Sequence, residues 1–252
     1  MTPKPTTISE VLAELDLIIE DAIATNDRLG LFAYIYRRTT AEILKEVQLG
    51  NVQNNAQLEQ MDVAFANLYL EAYHDFRKGK PVSQCWEFSF RCKEEPLTIL
   101  QHIMLGINAH INLDLGIATS ETMEGKAIKD IENDFNAVNT VLFQITNEMQ
   151  KRLGRVSPLL FLLDVVGLKS DEKIIDFSMR KAREQSWNSA TFLHVIPVTE
   201  KKEAIKGIDD VVLALSTIIK APKSFLIRTG LKFIRFFEEK NVGKIISKLK
   251  EN

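Results

Sequence analysis

The stretch ILQHIMLGINAHINLDLG, residues 99–116, sets Gln101, His102, Asn108, His110, Asn112 and Asp114 among isoleucines, leucines and a methionine. Polar side chains cost free energy to bury unless they are paired, so this pattern asks for partners or for a ligand. On a helix, His102, Gly106, His110 and Asp114 climb one side in steps of four. Gln101, Asn108 and Asn112 share a different side. His110 and Asp114 are one turn apart. Both can reach one point, as two metal ligands or as a carboxylate orienting a metal-bound imidazole. Gly106 removes a side chain between the histidines and leaves room for a ligand, a water or a neighbouring helix. His102 lies two turns from His110. On an undistorted helix the two would serve separate ions, unless the helix breaks near NLDLG.

A second set lies in LYLEAYHDF, where Glu71 precedes His74 by three residues and Asn67 precedes Glu71 by one turn. Di-iron helical bundles use Glu-x-x-His twice. It occurs here once, since Ile99 and Ile107 stand three residues before His102 and His110. A di-iron centre is therefore disfavoured. Zn2+ or another divalent transition metal, in a site built from His74, His102, His110, Glu71 and Asp114, is the metal centre this donor set supports. Asn67, Asn108 and Asn112 would then bind substrate or orient neighbouring helices. The competing reading is purely architectural: buried His, Asn and Asp side chains satisfy one another and tie helices together. His194, in TFLHVIPV, has no polar neighbour at helical spacing and reads as packed or surface histidine.

The elements that must position these groups are helices. Glycine and proline are scarce, at 11 and 7, and long segments with helical apolar spacing run between them. Thr7 with Glu10 predicts a capping box, and Gly50 and Gly79 read as C-terminal caps. KPVSQCWEFSFRCKEEP reads as an aromatic connector with room for a short extended piece. Pro96 suits the first turn of the helix carrying the polar box, and TSETMEG reads as the loop after it. SPLLFLLDVVGL predicts a short helix buried all round, and the next helix is expected to start at a Ser170 cap. The final basic piece, VGKIISKLKEN, is expected to fray. The expectation is an all-α, single-domain bundle over residues 1–252, with roughly eight to ten helices and mostly antiparallel neighbours.

Composition narrows the classes. The 252 residues are 45% hydrophobic and 26% charged, with a net charge of -2, which gives no bulk attraction for nucleic acid. Cys85 and Cys92 fit neither a zinc ribbon nor a redox pair and read as reduced, partly buried thiols. No secretory leader and no run of ~18 apolar residues is visible, which predicts a cytoplasmic protein. There is no phosphate loop, G-x-S-x-G elbow or H-E-x-x-H. KSFLIRTGLKFIRFFEEK combines Leu226, Ile227, Gly230, Leu231, Phe233, Ile234 and Phe237 on one broad face with Lys223, Arg228, Lys232 and Arg235 largely opposite. Residues 221–252 thus read as basic amphipathic helices. They either close the bundle or make peripheral contact with an anionic membrane through 223–237.

The box H-x3-G-x-N-A-H-I-N-x-D-L resembles the hallmark of an uncharacterised bacterial family of helical proteins. The likeness extends to LFAYIYRRTT with Tyr36 and Arg37, MDVAFANLYL with Asp62 and Asn67, DFNAVN with Asp134 and Asn139, and RKAREQSW with Arg183 and Trp187. It spans residues 30–190. The resemblance implies a helical fold and a shared polar set of His102, Asn108, His110, Asn112 and Asp114, with no assigned reaction. Two functions remain open. One is a metal-dependent, hydrolase-like enzyme built on the box. The other is a non-enzymatic protein that binds a small apolar ligand or a membrane surface, with the box structural. The space at Gly106 favours an open site, so His110→Ala is expected to cost little stability.

Overall fold

The structure is a computed structural model and describes residues 4–51, 53–160 and 171–251. The described residues form eleven α-helices and no strand. α1 (Ile8–Thr25) starts at Thr7, whose side chain and Glu10 close a reciprocal capping box. It buries Ile8, Val11, Leu15, Ile18, Ile19 and Ala22, the i, i+3, i+4 stripe expected of a helix with one face in the core. Asn26, in the left-handed region at φ 56°, turns the chain into α2 (Leu29–Leu49). The two helices lie so close that a Cβ on Gly30 would stand 2.4 Å from the Cβ of Ala22. α2 ends at Gly50, with φ 72°.

α3 (Asn55–Arg77) and α4 (Gln84–Arg91) follow, α3 turning at Gly79 with φ 70°. The connector holds helix rather than an extended piece. Cys85, Trp86, Ser89 and Phe90 bury at helical spacing, and the carboxylate of Asp209, 124 residues away, accepts the Gln84 and Cys85 amides. A tertiary partner thus caps the helix N-terminus, where no local side chain does so. Both cysteines are free and buried.

α5 (Ile99–Ala109) starts from a second capping box, Thr98 with Gln101. It continues through a π turn at His110–Asp114 into α6 (Leu115–Thr122). The sequence TSET, read as loop, belongs to this helix. From Ile99 to Ser120 no residue of it is exposed, so the box does lie on a central element. α7 (Glu132–Val156) runs two residues past Gly154. α8 (Asp171–Val195), α9 (Val198–Lys220), α10 (Phe225–Phe237) and α11 (Val242–Lys250) complete the chain. The apolar helix expected at 157–168 and the Ser170 cap fall largely or wholly outside the described residues. α11 does not fray: Asn241 caps it, and Val242, Ile245, Ile246 and Leu249 are buried at i, i+3, i+4, i+7. The Tyr34 hydroxyl and the Arg152 guanidinium both donate to the Leu249 carbonyl. Closure of the bundle at this end falls to α11, while α10 buries only Ile234.

Candidate functional site

The polar box sits where the central helix widens. The π turn at His110–Asp114 inserts one residue into the helical winding, and such single turns recur at functional sites. The Ile111 carbonyl accepts from the Ser186 hydroxyl on α8. Gly116, one turn on, lets α8 approach: an added Cβ would sit 3.0 Å from the Ser189 Cβ and 3.2 Å from the Ser186 carbonyl oxygen.

His110 is 1% exposed and almost encased in aromatic rings. Its ring stacks on Phe65 at 3.6 Å between centroids and meets Tyr36 edge-on at 4.4 Å. Nδ1 lies 2.9 Å from Asp114 Oδ2, which also accepts the Trp86 indole N–H at 2.9 Å. Burial holds the imidazole well below the usual histidine range. It also drives the Asp114 carboxyl well above the carboxylate range, against the pull of the Trp86 hydrogen bond. His110 Nε2 has no hydrogen-bond partner. The room made by Gly106 is taken by a neighbouring helix: a Cβ there would stand 2.3 Å from Phe32 Cγ. The Phe32 ring fills the gap and packs 5.8 Å from the His110 ring. The expected opening between the histidines is therefore closed.

An opening exists on another side of the same helix. A cavity of about 540 Å³ is bounded by Leu100, Met104 and Ile107 of α5, Ile35 of α2, Leu142 and Ile145 of α7, and other apolar side chains. Its polar lining is sparse and includes Tyr36, Asp62, His110, Asn112 and Arg183. Leu215 and Ile218 of α9 also line it, yet are 41% and 47% exposed, which places them at its mouth. Asp62 is 4% exposed, and its Oδ2 has no partner; nor does the Tyr36 hydroxyl. Burial, with some repulsion from Glu59, pushes the Asp62 carboxyl up to about 7, and only the Arg183 charge opposes this. Arg183 is itself buried, which lowers it to about 9. Its guanidinium donates to the Asn139 side chain and the Phe135 carbonyl and lies 4.3 Å over the Phe135 ring.

The second polar stripe of α5 is fully engaged. Gln101 donates to the Ile219 and Lys220 carbonyls at the end of α9, at 2.9 and 3.0 Å. Asn108 donates to the Val212 carbonyl and the Ser216 hydroxyl, both at 2.9 Å. Asn112 donates to Asn108 Oδ1. Gln101 and Asn108 bolt α5 to α9, and Asn112 holds the Asn108 side chain.

The five residues read as metal ligands are not gathered. Among the described residues no three His, Cys, Asp or Glu side chains are placed to hold a metal ion. Glu71 pairs with Lys4, and His74 Nε2 bonds Glu14 at 2.7 Å, both partly exposed. Asn67 donates to the Pro5 carbonyl and holds the residues ahead of α1 against α3. His102 is buried away from the cavity. Burial, then the charges of Arg28 and Arg235, lowers it to about 3. Trp86, Phe65 and Phe32 completed the His110 environment without being visible as site residues. Asp62, Arg183 and Tyr36 carried a signal only through the family likeness. Of the other residues in that likeness, Asp134 accepts the Gln53 and Asn54 amides ahead of α3, and Trp187 packs 5.0 Å from Phe135.

Fold and site define an all-α bundle with an apolar cavity lined by a few polar groups, some of them on the central helix. The chain belongs to the family of unknown function DUF5995, whose profile matches residues 8–222. No curated protein and no solved structure matches it. Among the described residues, no helix is long and apolar enough to cross a membrane.

Proposed function

We propose that the protein binds an amphipathic small molecule, its apolar body in the α2–α5–α7 cavity and one hydrogen-bonding group against Tyr36, Asp62 and His110. The cavity carries this reading. Its volume lies in the range of small-molecule sites, roughly 300–1,000 Å³, and such sites combine apolar walls with a few placed polar groups. Three unpartnered buried atoms belong to residues that line the cavity and support the polar end. A buried polar atom without a partner costs about 1–3 kcal/mol, and a ligand hydroxyl, carbonyl or protonated carboxyl would satisfy it. Near neutral pH the Asp62 carboxyl is poised between donor and acceptor. Burial keeps the imidazole neutral and the Asp114 contact keeps it oriented, which suits a hydrogen bond better than an ion pair.

A second reading keeps the divalent metal. His110 Nε2 is free while a carboxylate holds Nδ1, the arrangement by which proteins orient a metal-bound imidazole. Asp62 is a carboxyl that lines the same cavity. One experiment separates the readings. Purified protein is titrated with cis-parinaric acid, followed by its fluorescence, in EDTA and again with Zn2+. Saturable binding in EDTA is expected, with Met104→Trp weakening it at least about ten-fold at unchanged melting temperature, since the indole fills the cavity. Absence of saturable binding, or equal affinity in Met104→Trp, overturns the ligand reading. Binding or thermal stabilisation that requires Zn2+ transfers the site to the metal.

A further inference from the structure

The match to the family ends at residue 222, and α10 begins three residues later. The chain changes character there. From residue 223 on there are eight Lys and Arg against three Glu; before it there are 24 against 31 Asp and Glu. A chain that is nearly neutral overall thus carries a positive C-terminal segment on an acidic body.

The apolar side of α10 faces outward. Phe225 is 72% exposed, Leu226 61%, Phe233 52%, Phe236 73% and Phe237 50%. At 100° per residue these five fall within one arc of roughly 120°. Phe237 contacts both Phe233 and Phe236, at 5.0 and 5.1 Å between ring centroids, so three of the rings form one surface cluster. Arg228 and Lys232 are exposed along one margin of the arc, and Lys223 is exposed just before the helix. None of the three forms an ion pair among the described residues. The inward side is anchored by Ile234, fully buried, and by Glu238 at the helix end. Glu238 accepts from the Ile99 amide and the Ser157 hydroxyl. The helix is thus fixed to the bundle with its aromatic side out.

We infer that α10 is a membrane-docking helix that inserts Phe225, Leu226, Phe233, Phe236 and Phe237 into the interfacial layer of an anionic bilayer, with Lys223, Arg228 and Lys232 against lipid phosphates. Exposed aromatic surface of this extent marks an interaction site. A helix with aromatic and leucine side chains on one face and cations at its margin is the form that lies in a bilayer interface. Each basic residue near an anionic surface adds attraction. The charge selects lipid over a second copy of the chain: a two-fold contact through this face would oppose the same cations to one another, whereas phosphates neutralise them.

Flotation of the full chain with vesicles decides the matter. With phosphatidylcholine vesicles containing phosphatidylglycerol, the protein should float, less so at high salt, and pure phosphatidylcholine should retain much less. Phe225→Ser/Phe233→Ser/Phe236→Ser should lower the partition at least about ten-fold with an unchanged melting temperature, because all three rings are already in water. Lys223→Glu/Arg228→Glu/Lys232→Glu should remove the preference for the anionic lipid. Failure of the wild type to float overturns the inference, as does equal flotation of the serine variant. So does a dimer in sedimentation equilibrium that the serine variant makes monomeric, without flotation of either.

Discussion

The central helix carries two polar stripes, one of histidines and an aspartate and one of amides, both turned into the interior, and they end in opposite conditions. Gln101, Asn108 and Asn112 have their amide groups paired, chiefly to backbone and hydroxyl groups of α9. His102 and His110 each keep a ring nitrogen without a partner, and His110, like Asn108 and Asn112, lines the cavity together with Tyr36 and Asp62. Buried polar residues alone therefore do not mark a site. The difference lies in whether the inventory of donors and acceptors closes. Where it closes, the side chains fix helix packing. Where it stays open beside a void, folding has tolerated a cost that a ligand can offset.

Three measurements can break this contrast, and the largest effect concerns Asp62. Its folded carboxyl titrates near 7 against an ordinary 3.8. A raised acid contributes stability that is fully present below about 4 and is lost as pH rises through about 7. Between pH 4 and 8 the wild type should thus lose stability on the order of 4 kcal/mol relative to Asp62→Asn, read from urea unfolding at each pH. A constant difference between the two proteins across that range would mean that the wall is hydrated and the open inventory illusory.

Next in size is Asn108→Leu. It removes two donated bonds and leaves the Asn112 amide unpaired, so a loss of about 2–4 kcal/mol is expected. Parinaric acid affinity should change less than about three-fold, although Asn108 borders the cavity, because its amide is spent on α9. A variant of full stability would show that the bonded stripe is not structural.

The smallest expected effect on stability belongs to His110→Phe. The ring volume is kept within the aromatic cage, Asp114 retains Trp86, and the loss of the Nδ1–Asp114 contact is offset by the disappearance of an unpartnered nitrogen. Unfolding free energy should shift by less than about 1 kcal/mol. The affinity for parinaric acid should nevertheless fall about ten-fold, which separates binding from folding. Loss of several kcal/mol with unchanged affinity would reverse the roles assigned to the two stripes.

The helix starts and stops were largely legible. Thr7 with Glu10, Gly50 and Gly79 act through residues three or four positions away, so their chemistry is complete within the local sequence. Thr98 with Gln101 was equally local and identifiable. α4 was not, because the Asp209 carboxylate that caps it is contributed by α9. The closing of the Gly106 gap was not legible either. A missing Cβ announces a close approach but not the identity of the approaching group, which is the Phe32 ring. Expectations for the tail separated for a similar reason. α10 and α11 are both basic and amphipathic, yet the apolar side of α11 is buried and that of α10 faces out.

What the sequence by itself determined is whatever depends on periodicity and near neighbours: an all-helical chain, a polar helix with no solvent side, and His110 within one turn of Asp114. Helical spacing and capping decide these, and both act within a few residues. Which polar groups find partners was decided only by the tertiary structure. Gln101 and Asn108 depend on α9 more than a hundred positions away. Glu71 and His74 are drawn off by Lys4 and Glu14. Tyr36, Asp62, His110 and Arg183 line one cavity although they come from four separate helical segments. Hydrogen bonds and voids are properties of space, and the chain order that sets helix periodicity does not state which faces will meet.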